Sequence, residues 1–323
     1  MIKKIGVLTS GGDAPGMNAA ISAVIRRSIS KGIKPYIIFD GYKGLIENRI
    51  EEATLDFASK IIGHGGTAIG SARLPEFKDE NVRKKAITTL KSHEIEALVV
   101  IGGDGSYQGA EKLTQMGINC IGIPGTIDND IVSSDYTIGF DTALNTVVRS
   151  IDAIRDTMTS HNRCAVVEIM GNGCGDLTLY GATATGCEVI STRENKLTED
   201  EIAEQVSLLA KQKRRSVIVA VAENIYNDVH GLAKKIENKS GYVTRATVLG
   251  HVQRGGTPSA MDRYLAINFG IFAVDRLSEG IGGVYIGICD NKFVAKDIES
   301  TLNSKPKDKY NEYKIIREIN KAF

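Results

Sequence analysis

One pattern constrains this chain more than any other. A short run rich in β-branched residues meets a glycine-rich loop, and the loop opens a helical stretch; the unit then recurs. Ile5–Leu8 leads into Thr9–Gly16 and a helix to about Lys31. Ala97–Ile101 leads into Gly102–Gly105 and a helix to about Gln115. Ile118–Ile123 leads into Pro124–Asp130, Arg163–Ile169 into Met170–Gly175, and Val217–Ala222 into Glu223. Val243–Leu249 leads into His251–Pro258 and a long helix to about Glu279. Runs without polar alternation belong to strands covered on both faces. Such strands, alternating with helices of about 10–15 residues, form βαβ units on a parallel sheet. The expected fold class is therefore α/β. Open parallel sheets bind ligands beyond the carboxyl ends of their strands, and the glycine-rich loops fall there, so several loops on one edge would make one cleft.

Helix signals agree. Thr198 and Glu201 form a capping box opening Glu199–Lys211, with Ile202, Val206 and Leu209 at helical spacing. Gly32 and Gly117 sit where helices should stop. At 323 residues the chain has room for two domains or one large α/β unit. Its 40 Lys+Arg against 39 Asp+Glu leave a formal charge of +1. That balance argues against a general nucleic-acid binder and against a polybasic membrane-surface protein. No apolar run approaches the roughly 18 residues of a membrane span, and the N-terminal one is too short for a signal peptide. A cytoplasmic location is expected. Cys120, Cys164, Cys174, Cys187 and Cys289 contain no C-x-x-C, so buried free thiols are expected rather than disulfides or zinc. Lys305–Lys309 reads as a solvated loop.

Three loops carry the chemistry. The first, Gly11-Gly12-Asp13-Ala14-Pro15-Gly16-Met17-Asn18, has the glycine spacing of a phosphate-binding P-loop. Met17-Asn18 replaces the required Lys-Ser/Thr, which excludes a P-loop NTPase. A glycine turn before a helix still offers backbone N–H groups and a positive dipole end to phosphate. The second, Gly102-Gly103-Asp104-Gly105-Ser106, lets backbone approach a polyphosphate beside one carboxylate. That arrangement suits Mg²⁺, though an aspartate also caps helices well. The third, Pro124-Gly125-Thr126-Ile127-Asp128-Asn129-Asp130, gathers two carboxylates, a hydroxyl and an amide. Phosphoryl transfer to an alcohol needs a carboxylate near the acceptor hydroxyl, whereas the bland alternative is a polar Asx-rich turn. Arg163, Arg245 and the His251-Val252-Gln253-Arg254 run add cations at strand ends, with the fork geometry that suits phosphate oxygens.

Taken together, these loops resemble the bacterial-type ATP-dependent 6-phosphofructokinases. The resemblance runs from Met1 to about Ile288 and rests on five motifs in order. They are Leu-Thr-Ser-Gly-Gly-Asp-Ala-Pro-Gly-Met-Asn, Gly-Ser-Ala-Arg, Gly-Gly-Asp-Gly-Ser, Pro-Gly-Thr-Ile-Asp-Asn-Asp and Gly-His-Val-Gln-Arg-Gly-Gly. It implies two Rossmann-like lobes, each a mostly parallel sheet flanked by helices. The larger, ATP- and Mg-binding lobe would be residues 1–138 plus 251–300, and the smaller, sugar-phosphate-binding lobe 139–250 plus 301–323.

The resemblance also implies roles. Asp128 would take the proton from the 1-hydroxyl of fructose 6-phosphate, with Thr126 and Asp130 flanking the transferring phosphoryl group. Asp104 would hold Mg²⁺, and Gly12, Arg73, Leu74, Gly103, Gly105 and Ser106 would hold ATP. Ile127, Met170, Gly171, Glu223, His251, Val252, Gln253 and Arg254 would contact the sugar phosphate. Arg163 and Arg245 would reach it from a neighbouring subunit of a homotetramer. Asn172 stands where the family usually has Arg, near the sugar and the charge of the transition state. Arg26, Arg155, Gly186, Glu188, Lys213 and Arg214 fit an effector site for ADP or phosphoenolpyruvate. Ser22 and Leu55 replace two commonly basic residues there, so a feeble response is expected. Pyrophosphate-using relatives carry Asp and Lys at the positions of Gly105 and Gly125, and the small residues here favour ATP as donor. The competing readings are a pyrophosphate-dependent phosphofructokinase, a catalytically silent sugar-phosphate or nucleotide sensor, and a kinase for NAD or lipid sharing Gly-Gly-Asp-Gly.

Overall fold

The structure, a computed structural model, describes residues 2–132, 134–303 and 310–321; Lys305–Lys309 lies outside the described residues. In chain order the strands are β1 (Lys4–Thr9), β2 (Lys34–Ile38), β3 (Ile50–Glu52), β4 (Ala97–Gly102), β5 (Asn119–Thr126), β6 (Ile138–Gly139), β7 (Cys164–Ile169), β8 (Val189–Ser191), β9 (Val217–Ala222), β10 (Thr244–Val248), β11 (Val284–Cys289) and β12 (Lys292–Asp297). The helices are α1 (Met17–Ser30), α2 (Gly41–Ile46), α3 (Leu55–Ile61), α4 (Glu80–Ser92), α5 (Asp104–Gln115), α6 (Phe140–His161), α7 (Asp176–Thr185), α8 (Glu199–Lys211), α9 (Val229–Ser240), α10 (Ala260–Ser278), α11 (Ile298–Leu302) and α12 (Tyr310–Lys321).

The chain forms two compact units. The first comprises Met1–Ile127, Ile131–Thr142 and Arg254–Pro306; the second comprises Asp128–Asp130, Ala143–Gln253 and Lys307–Phe323. In the first unit the sheet order is β12-β11-β5-β4-β1-β2-β3, with β6 beside β5. The central pairings β2–β1–β4–β5–β11 are parallel, and only the edge strands β3 and β12 run antiparallel. The apolar runs are the reason. Every residue of β4 is buried, as a strand sandwiched between helix layers must be, whereas β12 is mostly exposed or half-buried. In the second unit β10-β7-β9-β8 are all parallel, and β9 is wholly buried.

Helix packing follows side-chain size. Helix α10 crosses α1 closely because position 270 is glycine. A Cβ there would lie 2.7 Å from the Ala23 Cβ and 2.9 Å from the Ala20 carbonyl. Ser259 caps α10 by accepting from the Asp262 N–H at 3.1 Å. Asp262, 1% exposed, accepts from the Gly139 N–H and Thr142 N–H at 2.8 Å each and from the Thr142 hydroxyl. The capping box at Thr198 forms as expected, with both reciprocal bonds present. Gly32 and Gly117 adopt φ values of 72° and 94°, which end α1 and α5. All five cysteines are free, but only Cys120, Cys164 and Cys187 are buried. Burial pushes each of these thiols up to about 12. Cys174 and Cys289 are half-buried, which corrects the expectation for them; both lie in loop or strand-end positions where the core gives way to solvent. No helix of the described residues is long and apolar enough to cross a membrane.

Candidate active site

In the first unit, three glycine-bearing segments are tied together by small hydroxyl side chains at the carboxyl ends of β1 and β4. The Thr9 hydroxyl donates to the Gly70 carbonyl at 2.7 Å, and Ser71 Oγ donates to the Gly11 carbonyl at 2.8 Å. Ser106 Oγ donates to the Ser10 carbonyl at 2.9 Å. A Cβ at Gly102 would fall 2.4 Å from that same carbonyl. The Tyr42 hydroxyl donates to the Ser106 carbonyl at 2.5 Å. Loop one, the Gly70–Arg73 segment and loop two are thus one assembly, and the predicted nucleotide residues Gly12, Arg73, Gly103, Gly105 and Ser106 belong to it. Leu74 follows directly and is half-buried. Sequence reasoning missed Thr9, Tyr42 and Ser71, whose roles rest on contacts between distant segments.

Two helices begin here without a side-chain cap. Gly16 caps α1 at φ 107° and Gly103 caps α5, neither with a side-chain hydrogen bond. The alternative that Asp104 is a helix cap therefore fails; Asp104 is the first helical residue. Burial alone raises its carboxyl above the ordinary range. Nothing lies within 4 Å of a Cβ placed on Gly103 or Gly105, so no neighbour requires glycine there, and what these residues leave is open space against bare backbone. Gly125 differs. A Cβ there would meet Met17 and Ile101 at 3.0 Å, so its smallness also serves the core. Arg254 lies in this unit. Its Nη1 donates to the Asp13 carbonyl at 3.3 Å, and the guanidinium passes so close to Gly12 that a Cβ would stand 2.7 Å from it. Thr126 and Ile127 are buried, and the Thr126 carbonyl accepts from Thr137 Oγ1 at 2.6 Å.

In the second unit, Asn129 takes a left-handed φ of 55°, and its amide donates to Asp176 at 2.8 Å, at the start of α7. This bond anchors the Asp128–Asp130 stretch, and Asp128 is 7% exposed. At the carboxyl ends of β7 and β9, Glu223 Oε1 accepts from the Gly171 N–H at 3.0 Å and the Asn172 N–H at 2.7 Å. That turn needs positive φ at both residues, 153° and 56°, which glycine and asparagine tolerate. Gln253, fully buried, accepts from the Met170 N–H at 3.2 Å and donates to the Gly250 carbonyl at 3.0 Å, so it latches the exposed His251-Val252 turn to this end of the sheet. Burial and the nearby Glu223 charge raise Glu168. A cavity of about 340 Å³ lies here, lined by Asn172, Gly173, Cys174, Glu223 and two cations that no motif announces, Arg193 and Lys196. They follow the three-residue β8, and the signal that could have found them is their place in a strand-to-helix loop.

Arg163 and Arg245 are not brought to this end. Arg163 precedes β7, and Arg245 pairs with Ala165 at the start of β10; Met170 and His251 follow the far ends of the same strands. Arg245 donates to the Thr244 carbonyl and lies 3.4 Å from Glu237. Of the expected effector residues, Arg155 pairs with Glu188 at 3.0 Å and donates to the Gly186 carbonyl at 2.9 Å. Lys213 holds a left-handed turn at φ 60°, and the Arg214 carbonyl accepts from the Tyr242 hydroxyl. Arg26 is exposed on α1 in the first unit, where Ser22 is fully buried and Leu55 is exposed.

Residues 4–277 match the model of the Phosphofructokinase family. The chain is 60% identical over 303 residues to an ATP-dependent 6-phosphofructokinase of Spiroplasma citri, covering 94% of this chain and 93% of that one. It is 56% identical over 304 residues to the protein of the same name in Photobacterium profundum, covering 94% and 95%. Among solved structures it resembles phosphofructokinase from Saccharomyces cerevisiae, at a TM-score of 0.86 and 34% identity over 93% of this chain and 45% of that one.

Proposed function

The chain belongs to the phosphofructokinase family and transfers a phosphoryl group from ATP to fructose 6-phosphate, and from that premise we propose that Asp128 is the general base and Asp104 the carboxylate that holds Mg²⁺. The observation that carries the reading is the joining of loop one, the Gly70–Arg73 segment and loop two through Thr9, Ser71 and Ser106. A nucleotide tail needs bare backbone N–H groups. Gly103 and Gly105 leave open space over them, and α1 and α5 point uncapped N-termini that suit phosphate.

The metal assignment is tested by the donor set. Among the described residues no group of three His, Cys, Asp or Glu could hold an ion, so these residues offer no all-protein cage. Mg²⁺ prefers one or two carboxylates, waters and substrate phosphates, and Asp104, beside glycine backbone, fits that pattern. When bound, the ion would neutralise charge on the donor phosphates.

The remaining work falls to the chain's own groups. Asp128 would accept the 1-hydroxyl proton as that oxygen attacks, with Thr126 and Asp130 orienting the transferred group. Arg73 would pair with nucleotide phosphates. Gly171, Asn172, Glu223 and the His251–Arg254 run would hold the sugar phosphate. The enzyme would be a cytoplasmic homotetramer in which Arg163 and Arg245 of one copy serve the next, a reading supported by their place at the opposite end of β7 and β10 from Met170 and His251. Incubation with Mg²⁺ and ATP or pyrophosphate, against a panel of phosphorylated sugars and alcohols, tests the function. ADP release with fructose 6-phosphate alone is expected; turnover with pyrophosphate, or none with fructose 6-phosphate, overturns it.

A further inference from the structure

In the second unit, three side chains converge on the backbone of Gly175, the residue that leads into α7. Glu194 Oε1 accepts from the Gly175 N–H at 2.8 Å. The other oxygen, Oε2, accepts from the Tyr313 hydroxyl over a longer 3.5 Å. That hydroxyl in turn accepts from Thr192 Oγ1 at 2.7 Å. A Cβ at position 175 would run into Glu194 Oε2 and stand 2.7 Å from the Thr192 Cβ and 2.8 Å from the Tyr313 hydroxyl, so glycine is what lets the three groups close on one peptide. Tyr313 comes from α12 and is 5% exposed, and Thr192 is fully buried; Glu194 reaches solvent. Burial raises the Tyr313 hydroxyl above its ordinary range, against the Thr192 bond and together with the charges of Glu194 and Asp176, so at neutral pH it remains an O–H donor.

Helix α7 begins one residue later with Asp176, 4% exposed, and Gly175 gives that helix no side-chain cap. Asp176 accepts from the Asn129 amide at 2.8 Å, and the Cys174 thiol faces the Asn129 carbonyl at 3.9 Å. A continuous path thus runs from Tyr313 through Glu194, Gly175 and Asp176 to Asn129, wholly inside the second unit, and Asn129 adjoins Asp128 in the same short segment. Resting on the assignment of Asp128 as general base, we propose that Tyr313 is a positioning residue for phosphoryl transfer: by holding Glu194 against the Gly175 N–H it fixes the start of α7, and Asp176 there sets the backbone from which Asp128 meets the sugar 1-hydroxyl. A base works only within hydrogen-bond reach of its proton, and a displacement of about 1 Å caused far from the chemistry can cost on the order of 10²-fold in rate. Helix α12 therefore governs turnover without touching either substrate.

The test uses the full-length enzyme. Tyr313→Phe removes the hydroxyl and keeps the ring; kcat should fall roughly tenfold, with the KM for fructose 6-phosphate and for ATP within about twofold and the melting temperature held. Glu194→Ala, at a solvent-facing residue, should lower kcat by at least as much. Glu194→Gln still accepts from Gly175 and should keep most of the rate. The deciding measurement places Tyr313→Phe in the Asp128→Asn background: with no base left to position, the residual turnover should not fall further. Unchanged kcat in both Tyr313→Phe and Glu194→Ala, or the same fractional loss repeated without the base, overturns the assignment. An Asp128→Asn enzyme as fast as the unmodified one would instead sink the reading beneath it.

Discussion

Asp128 sits buried next to a left-handed asparagine whose amide is tied to Asp176, so the backbone that carries its carboxyl is anchored. Asp128→Asn keeps that shape and removes the base. Turnover should fall roughly 10²–10⁴-fold in a coupled ADP assay, while calorimetric nucleotide binding stays intact; unchanged turnover rules out the role. Asp262 makes a second claim at this scale. Burial pushes its carboxyl up to about 6 despite three donors. The folded chain then binds that proton more tightly than the unfolded chain does, so stability is lost as pH rises from about 4 to about 6. Urea denaturation should show the stability of the unmodified protein, relative to Asp262→Asn, falling by about 3 kcal/mol across that window. A flat difference would mean that the donors offset the burial.

At the scale of elements, the α1–α10 crossing depends on Gly270. Gly270→Leu would drive side-chain atoms into Ala23 and the Ala20 carbonyl, and should cost about 2–3 kcal/mol in chemical denaturation. Retained stability would show that the helices can separate cheaply. The elements also show where sequence reading works and where it stops. β1, β4, β5, β7 and β9 were legible because they are short, largely apolar runs ending at glycine or polar loops, and β10, a half-exposed edge strand, because Val243, Val248 and Leu249 bracket it before the His251 loop. β3 and β12 were not, because edge strands half in water carry charges such as Glu51, Glu52 and Lys296 and lose the apolar signature. β8 is only three residues long, so no strand signal marks the loop that carries Arg193 and Lys196. The site was legible where chemistry needs glycine spacing, as in loops one and two, and illegible where it needs contacts between distant segments, as at Tyr42 and Ser71.

For the whole molecule, the two arginines at the amino end of the smaller sheet are decisive. A strand of six residues at about 3.3 Å each separates Arg163 from Met170 by roughly 20 Å, beyond the reach of one substrate. Arg163→Ala and Asp128→Asn chains, each inactive alone, should regain up to about a quarter of full activity when unfolded together and refolded as a mixture; no recovery would place these arginines outside the sugar site. Control by effectors should be weak. Ser22 is buried and Leu55 carries no charge, so phosphoenolpyruvate or ADP should shift half-saturation by fructose 6-phosphate less than about twofold. A large shift in kinetic titration contradicts this.

The placement of Arg163 and Arg245 has a consequence for handling the enzyme. If neighbouring copies complete each sugar site while the nucleotide loops stay within a single chain, progressive dilution separates the two affinities. Fructose 6-phosphate would be released first and ATP would still bind, so rate per milligram becomes a readout of assembly rather than a constant of the catalyst.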